Sequence, residues 1–432
     1  MTALLGPLWA IASMTLLEAR RRKVFTILLL FGLALMSSIL FFPAVEVEAR
    51  LRLIEIWALR ASAIFTAIVG LFLAGFSLPQ DFEQKRIYLI VTKPVSKPVV
   101  FLGRYLGYAL LLAVFIGSMG AVTTTFLRTV KLFSGGKFPP LVAYPRLQAG
   151  SFAFPGGDAL EGGPASAAVE FGPDRALVWT FPDLRRSDFG DTVRMQARLI
   201  FGAKGDPYRA SGTVDIKVIG PSGASHKTQV SMNTNEEREF EFPGSLLGDR
   251  GALRVEFRGA DGDGIIAAAP DWLILYEKSM LFELAFARGL LLVLLQSMIV
   301  LSITLMASTF LSAPLSILLG ILLYLVGSIH GYVREGSRDI DRSLAEIHLS
   351  KDKKVETPEN LPLGLLKFST QTSKIVLAAV PDFAHFDFSV WVLKDQAVSW
   401  REIGIAGSRA WIPIVVMIAL GTLVMAFKDF DR

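Results

Sequence analysis

The chain contains no cysteine. Disulfides, thiol nucleophiles and cysteine-ligated metal sites are therefore excluded, and any domain outside the cytoplasm must be held by its own core. Charge is scarce as well: Asp, Glu, Lys and Arg make up 19% of the residues, against about a quarter in soluble domains. Histidine is limited to His226, His330, His348 and His385, far apart and without a His-Glu-x-x-His pattern, so each reads as structural or solvent-exposed. No G-x-x-x-x-G-K-[ST] occurs, and the chain has no recognisable ATP-binding loop of its own. Asp261-Gly262-Asp263-Gly264 lacks the rest of a twelve-residue calcium loop and reads as a hairpin turn. No enzyme constellation and no metal site emerges.

What the chain has in excess is apolar sequence, 52% of 432 residues, gathered in blocks. Runs free of Asp, Glu, Lys and Arg cover 24–45, 61–80, 105–127, 289–333 and 410–427. A helix crosses a bilayer core with about 20 apolar residues. The run 289–333 would reach about 68 Å as one helix, so it is expected to cross twice, turning at Ser312-Ala313-Pro314, where proline disfavours helix in the residue before it. The expected fold is a mainly α membrane protein, a bundle of six transmembrane helices.

The net charge of +5 would hint at nucleic acid in a soluble protein. Here the basic residues cluster at the ends of apolar runs, as topology signals do, and no nucleic-acid partner is expected. Arg20, Arg21, Arg22 and Lys23 place the N-terminus in the cytoplasm. Six crossings then leave 43–60, 128–288 and 334–409 outside, and 81–104, 310–314 and the tail from Lys428 inside. Residues 1–23 lack a small-residue cleavage site after an apolar block. Leu4, Leu5, Leu8, Trp9, Ile11, Ala12, Thr15, Leu16 and Ala19 recur at near-helical spacing, which reads as an amphipathic interfacial helix; a disordered basic leader is the alternative.

Residues 135–278 change character. Val193, Met195, Ala197 and Leu199 alternate with polar residues, as do Val214, Ile216 and Val218, and Leu253, Val255 and Phe257. The runs 175–181, 237–242 and 271–276 are similar, and Gly/Pro/Asp clusters separate them. Short alternating strands at this spacing predict an inserted extracytoplasmic β-sandwich or jelly roll. The expected organisation is an interfacial helix over 1–23, three spans over 24–128 with a cytoplasmic segment 80–99, the β domain over 129–279, and three spans over 280–432. Within the last block, 363–380 is apolar enough for a helix at the outer interface.

Polar residues inside the spans are few. Gln296, Ser302 and Thr304 stand out, with Ser308 and Thr309 beyond them; they read either as packing between helices or as the lining of a substrate path. The segment 78–107 stands out differently. Asp81 and Glu83 suit the first turn of a short helix, where the dipole favours acids. Ile87, Leu89 and Ile90 supply an apolar side, and Pro94 stops it. A short amphipathic helix between two spans is a docking element for a soluble partner; an ordinary basic loop is the alternative.

This segment resembles the permease subunits of type-2 ATP-binding-cassette (ABC) transporters. That family carries an acidic residue, a short Leu/Ile helix, Pro-Val-Ser-[Arg/Lys] and Leu-Gly-[Lys/Arg]. Here these are Asp81 and Glu83, Ile87 to Ile90, Pro94-Val95-Ser96-Lys97, and Leu102-Gly103-Arg104. The stretch Val380-Pro381-Asp382-Phe383-Ala384-His385-Phe386-Asp387-Phe388 is similar to the family's outer Leu-Pro-Asn stretch, with Asp382 in place of Asn. The resemblance covers 1–128 and 280–432, and the β domain is an insertion. It implies a permease of an exporter in the inner (cytoplasmic) membrane, paired as a homo- or heterodimer and surrounded by lipid. It also implies two partner ATPase subunits that hold ATP and Mg; no cofactor is expected in this chain. Asp81, Glu83, Arg86, Ile87, Leu89, Pro94 and Lys97 would form the ATPase-coupling segment, and the β domain offers a surface to an extracytoplasmic partner. Two other readings stay open: a membrane-anchored binding or sensor protein, and an ABC-type mechanotransmitter that translocates nothing.

Overall fold

The computed structural model describes residues 2–21, 47–83, 97–133, 381–387 and 396–427, most of 142–329, and isolated positions within 26–37 and at 392. Two compact units result.

The helical unit contains α1 (Thr2–Arg21), α2 (Val47–Glu83), α3 (Lys97–Phe133), α4 (Phe282–Ala307), α5 (Ala313–Ile329) and α6 (Trp400–Phe427). Four helices, α2, α3, α4 and α6, are long and apolar enough to cross a membrane, and α5 is a shorter apolar helix. Six crossings are therefore not reproduced among the described residues; most of the first expected span, 24–45, lies outside them, although Phe31 and Leu35 are fully buried. The run 289–333 does divide, at Ser308–Ser312. It folds back: a Cβ on Gly320 of α5 would lie 2.4 Å from Thr304 Oγ1 of α4 and 2.3 Å from Leu71 Cδ2 of α2.

Two expected loops are helical. Residues 47–60, expected as an outer loop, continue into α2, and Lys97–Arg104, expected in the cytoplasmic loop, open α3. Charge ends an apolar run without ending a helix, because Glu, Arg and Lys are good helix formers. At 37 residues each, α2 and α3 reach about 56 Å, well beyond a 30 Å hydrocarbon core. They run antiparallel: Gly70 meets Leu112, and Thr66 meets Met119. Helix α4 is central, packing against α2, α3 and α6. By contrast, α6 has 22% of its apolar stretch buried, against 72% for α4, so most of its surface remains for lipid or another chain.

The second unit carries β strands, and the pairs among those named below are antiparallel. One sheet runs β10 (Ser225–Asn233), β9 (Ser211–Ile219), β12 (Arg250–Gly259), β5 (Leu177–Arg185) and β2 (Ser151–Ala153). Another contains β11 (Glu237–Pro243), β6 (Thr192–Arg198), β14 (Leu273–Tyr276) and β1 (Val142–Gln148). Both turn apolar faces to one core. Val193, Met195, Phe240 and Leu275 come from the second sheet, and Trp179, Ile216, Val255 and Phe257 from the first. The period-2 pattern thus lands on the core side at the expected residues. A smaller sheet runs β3 (Asp158–Ala159), β4 (Ala167–Glu170), β13 (Gly264–Ala268), β7 (Ile200–Ala203) and β8 (Asp206–Arg209).

Candidate functional site

The base of the α2–α3 hairpin holds a charge inside apolar packing. Arg104 is 7% exposed. Its Nη1 donates to Ser77 Oγ at 3.1 Å and to Tyr108 Oη at 3.3 Å. Ser77 lies on α2, and Arg104 and Tyr108 are one turn apart on α3, so the guanidinium bridges the two helices. A buried charge persists only where polar partners repay its desolvation. Gly107 brings a third helix to this level. A Cβ there would lie 2.7 Å from Thr15 Cβ and 2.9 Å from the Ala12 carbonyl oxygen, so α1 rests directly on the α3 backbone. Three helices therefore meet close to where the chain leaves α2 and re-enters as α3.

The structure redraws the segment expected to couple. Asp81 and Glu83 lie in the last turn of α2, not the first turn of a separate short helix. The helix continues past Pro79, and no basic residue occupies its last turn. Arg86, Ile87, Leu89 and Pro94 lie outside the described residues. Lys97 is the first residue of α3 and is half-buried.

Gln296, Ser302 and Thr304 all fall on α4 and are buried. Ser302 Oγ donates to the Ile299 carbonyl at 2.7 Å and Thr304 Oγ1 to the Val300 carbonyl at 2.9 Å. These hydroxyls are satisfied within their own helix, and Thr304 abuts Gly320. Thr304 in this way takes part in the contact of α4 with α5.

Three features escaped sequence reading. Arg104 was visible only as a motif letter; nothing in the sequence reveals its burial. Phe383, in the stretch 381–387, is fully buried against α5: a Cβ on Gly327 would lie 2.5 Å from Phe383 Cδ2. Helix α6 begins ten residues before the charge-free run 410–427, at Trp400. Its start is a reciprocal cap: Glu402 N–H donates to Ser399 Oγ at 3.2 Å and Ser399 N–H to Glu402 Oε2 at 3.4 Å. The signal Ser399-x-x-Glu402 before an apolar run was readable.

No protein-family model matches the chain, and no curated protein matches it. Among solved structures, it is similar to PfGH50B at 11% identity and TM-score 0.23, over 32% of this chain and 23% of that one. It is similar to an exo-beta-agarase at 12% identity and TM-score 0.17, over 33% and 24%. It is also similar to a family 11 carbohydrate-binding module of a cellulosomal cellulase of Clostridium thermocellum, at 11% identity and TM-score 0.18, over 33% and 91%. The chain spans less than a quarter of the first two proteins. TM-scores at this level carry no argument about function.

Proposed function

We propose that this chain is the permease subunit of an ATP-driven ABC exporter. It crosses the inner membrane six times with both termini cytoplasmic, and it carries an extracytoplasmic β-sandwich or jelly-roll domain. It pairs with a second permease subunit and two ATPase subunits, which bind Mg-ATP and hydrolyse it. The observation that carries the reading is the hairpin base: two long antiparallel helices, pinned together through Arg104, flank the segment whose residues resemble the family's coupling motif. ATPase closure displaces that segment, and the pinned helices pass the movement to α4 and its neighbours.

Glu83 is the docking residue in this reading, offering a carboxylate to a basic ATPase surface. Truncating one side of a charge pair buried at an interface costs roughly 2–5 kcal/mol. The purified complex is the test, with ATPase association measured by pull-down and turnover measured alongside. Glu83→Lys is expected to insert normally yet lose association or stimulated hydrolysis. Arg104→Met is expected to keep association and lose coupling. Unchanged association and unchanged turnover in Glu83→Lys would defeat the docking assignment. A wild-type chain that captures no ATPase would leave the membrane-anchored binding protein as the better reading.

A further inference from the structure

On the outward side of the sheet β10–β9–β12–β5–β2, two facing residues break the in–out alternation by being buried, Glu256 of β12 and Val178 of β5. On β12, Leu253, Val255 and Phe257 point into the core; Arg254, Glu256 and Arg258 take the other side. Glu256 is nevertheless only 4% exposed. Two arginines enclose its carboxylate: Arg254 Nε stands 3.0 Å from Oε1 and Arg258 Nη2 3.0 Å from Oε2. The arginine side chains themselves remain 53% and 43% exposed. Register places Lys217 of β9 opposite Glu256, Asp215 opposite Arg258, and Lys227 of β10 opposite Lys217. Among the described residues these four cations and two anions sum to +2 (4 − 2), over about 13 Å along the strand and about 10 Å across it.

A nearly buried carboxylate is costly by itself. Here it holds two guanidinium forks in one orientation, so less side-chain freedom is lost when an anion is bound. The cations are dispersed over three strands rather than gathered round one point, which suits several anionic groups spaced along a chain. The face offers little apolar surface, since Val178 is buried and Ile219 half-buried; a protein partner normally finds an apolar centre. We propose that this face binds an acidic polysaccharide. Arg254, Arg258, Lys217 and Lys227 pair its carboxylates, and Glu256 is a positioning residue. The assignment stands whether or not the helical unit transports anything.

The full chain in detergent can be tested for binding to polygalacturonate, with dextran as neutral control and phosphatidylglycerol vesicles as the lipid alternative. Wild type should bind polygalacturonate at low salt, release it as salt rises, and ignore dextran. The double variant Lys217→Ala/Lys227→Ala should weaken binding by about tenfold or more. Glu256→Gln separates positioning from bulk charge. Removing a negative charge strengthens binding to a simple basic patch, whereas losing the brace weakens it. No binding by wild type, tighter binding by Glu256→Gln, no change in the double variant, or preference for the vesicles would each overturn the proposal.

Discussion

Single residues decide several local outcomes. Asp183 adopts φ 57°, a left-handed conformation that Asp and Asn tolerate better than other non-glycine residues. It sits on β5 beside the register shift between β5 and β12. There it makes a forked ion pair with Arg250, whose Nη2 donates to Oδ2 at 2.8 Å. The hydrogen bond from Arg250, then its charge, hold the Asp183 carboxyl below its ordinary range. A carboxylate with a depressed folded-state pKa contributes stability above its unfolded pKa, and that contribution is lost as pH falls through the folded value. Hydrogen exchange of the β5–β12 amides should therefore rise more steeply as pH falls below about 4 in wild type than in Asp183→Asn. Asn tolerates the backbone conformation and removes the ion pair together with its titration, so its profile lacks this pH-dependent step. Parallel pH profiles for the two proteins would remove this pair from the acid response.

Among elements, the return of α5 onto α4 depends on a missing side chain. Gly320 allows Thr304 and Leu71 to close over the α5 backbone. Close approach of this kind drives helix association in lipid, where no hydrophobic effect separates helix from solvent. Gly320→Leu has to push both neighbours aside, and overpacking a filled site costs typically 1–3 kcal/mol. The expected result is a purified protein with a lowered unfolding temperature in detergent and faster proteolysis of the 308–312 turn. A melting curve indistinguishable from wild type would mean that α5 is not held at this contact. The α6 cap belongs to the same scale: Ser399 and Glu402 start the helix while Trp400 and Trp411 remain exposed, as aromatic side chains at a membrane interface do.

At the scale of the whole molecule, the question is which segments face which side. The basic quartet 20–23 and the basic stretch 81–104 predict a cytoplasmic 84–96 segment and a β domain on the opposite side. Because the chain has no cysteine, single cysteines placed at Ser96 and at Ser225 report without background. An impermeant thiol reagent should reach Ser225→Cys from outside intact cells and Ser96→Cys only after the membrane is opened. Labelling of both positions from one side would remove the six-crossing arrangement, and with it the coupling role given to 84–96.

How much of this was legible depended on the kind of signal. The alternation at Val193, Met195 and Ala197, and at Leu253, Val255 and Phe257, could be read directly, because a strand puts every second side chain on one face. Apolar runs likewise marked where helices α2, α3, α4 and α6 lie, since a bilayer core accepts little else. Helix ends were not legible. The run 61–80 stops at Asp81 because charge begins there, whereas α2 extends from Val47 to Glu83; apolar content reports the solvent, and hydrogen bonding sets the helix. Burial of polar groups was equally out of reach. Arg104 and Glu256 look in the sequence like any other charged residue. Only the meeting of α2 with α3, and the convergence of Arg254 and Arg258 from one strand, gave them partners that offset their loss of water.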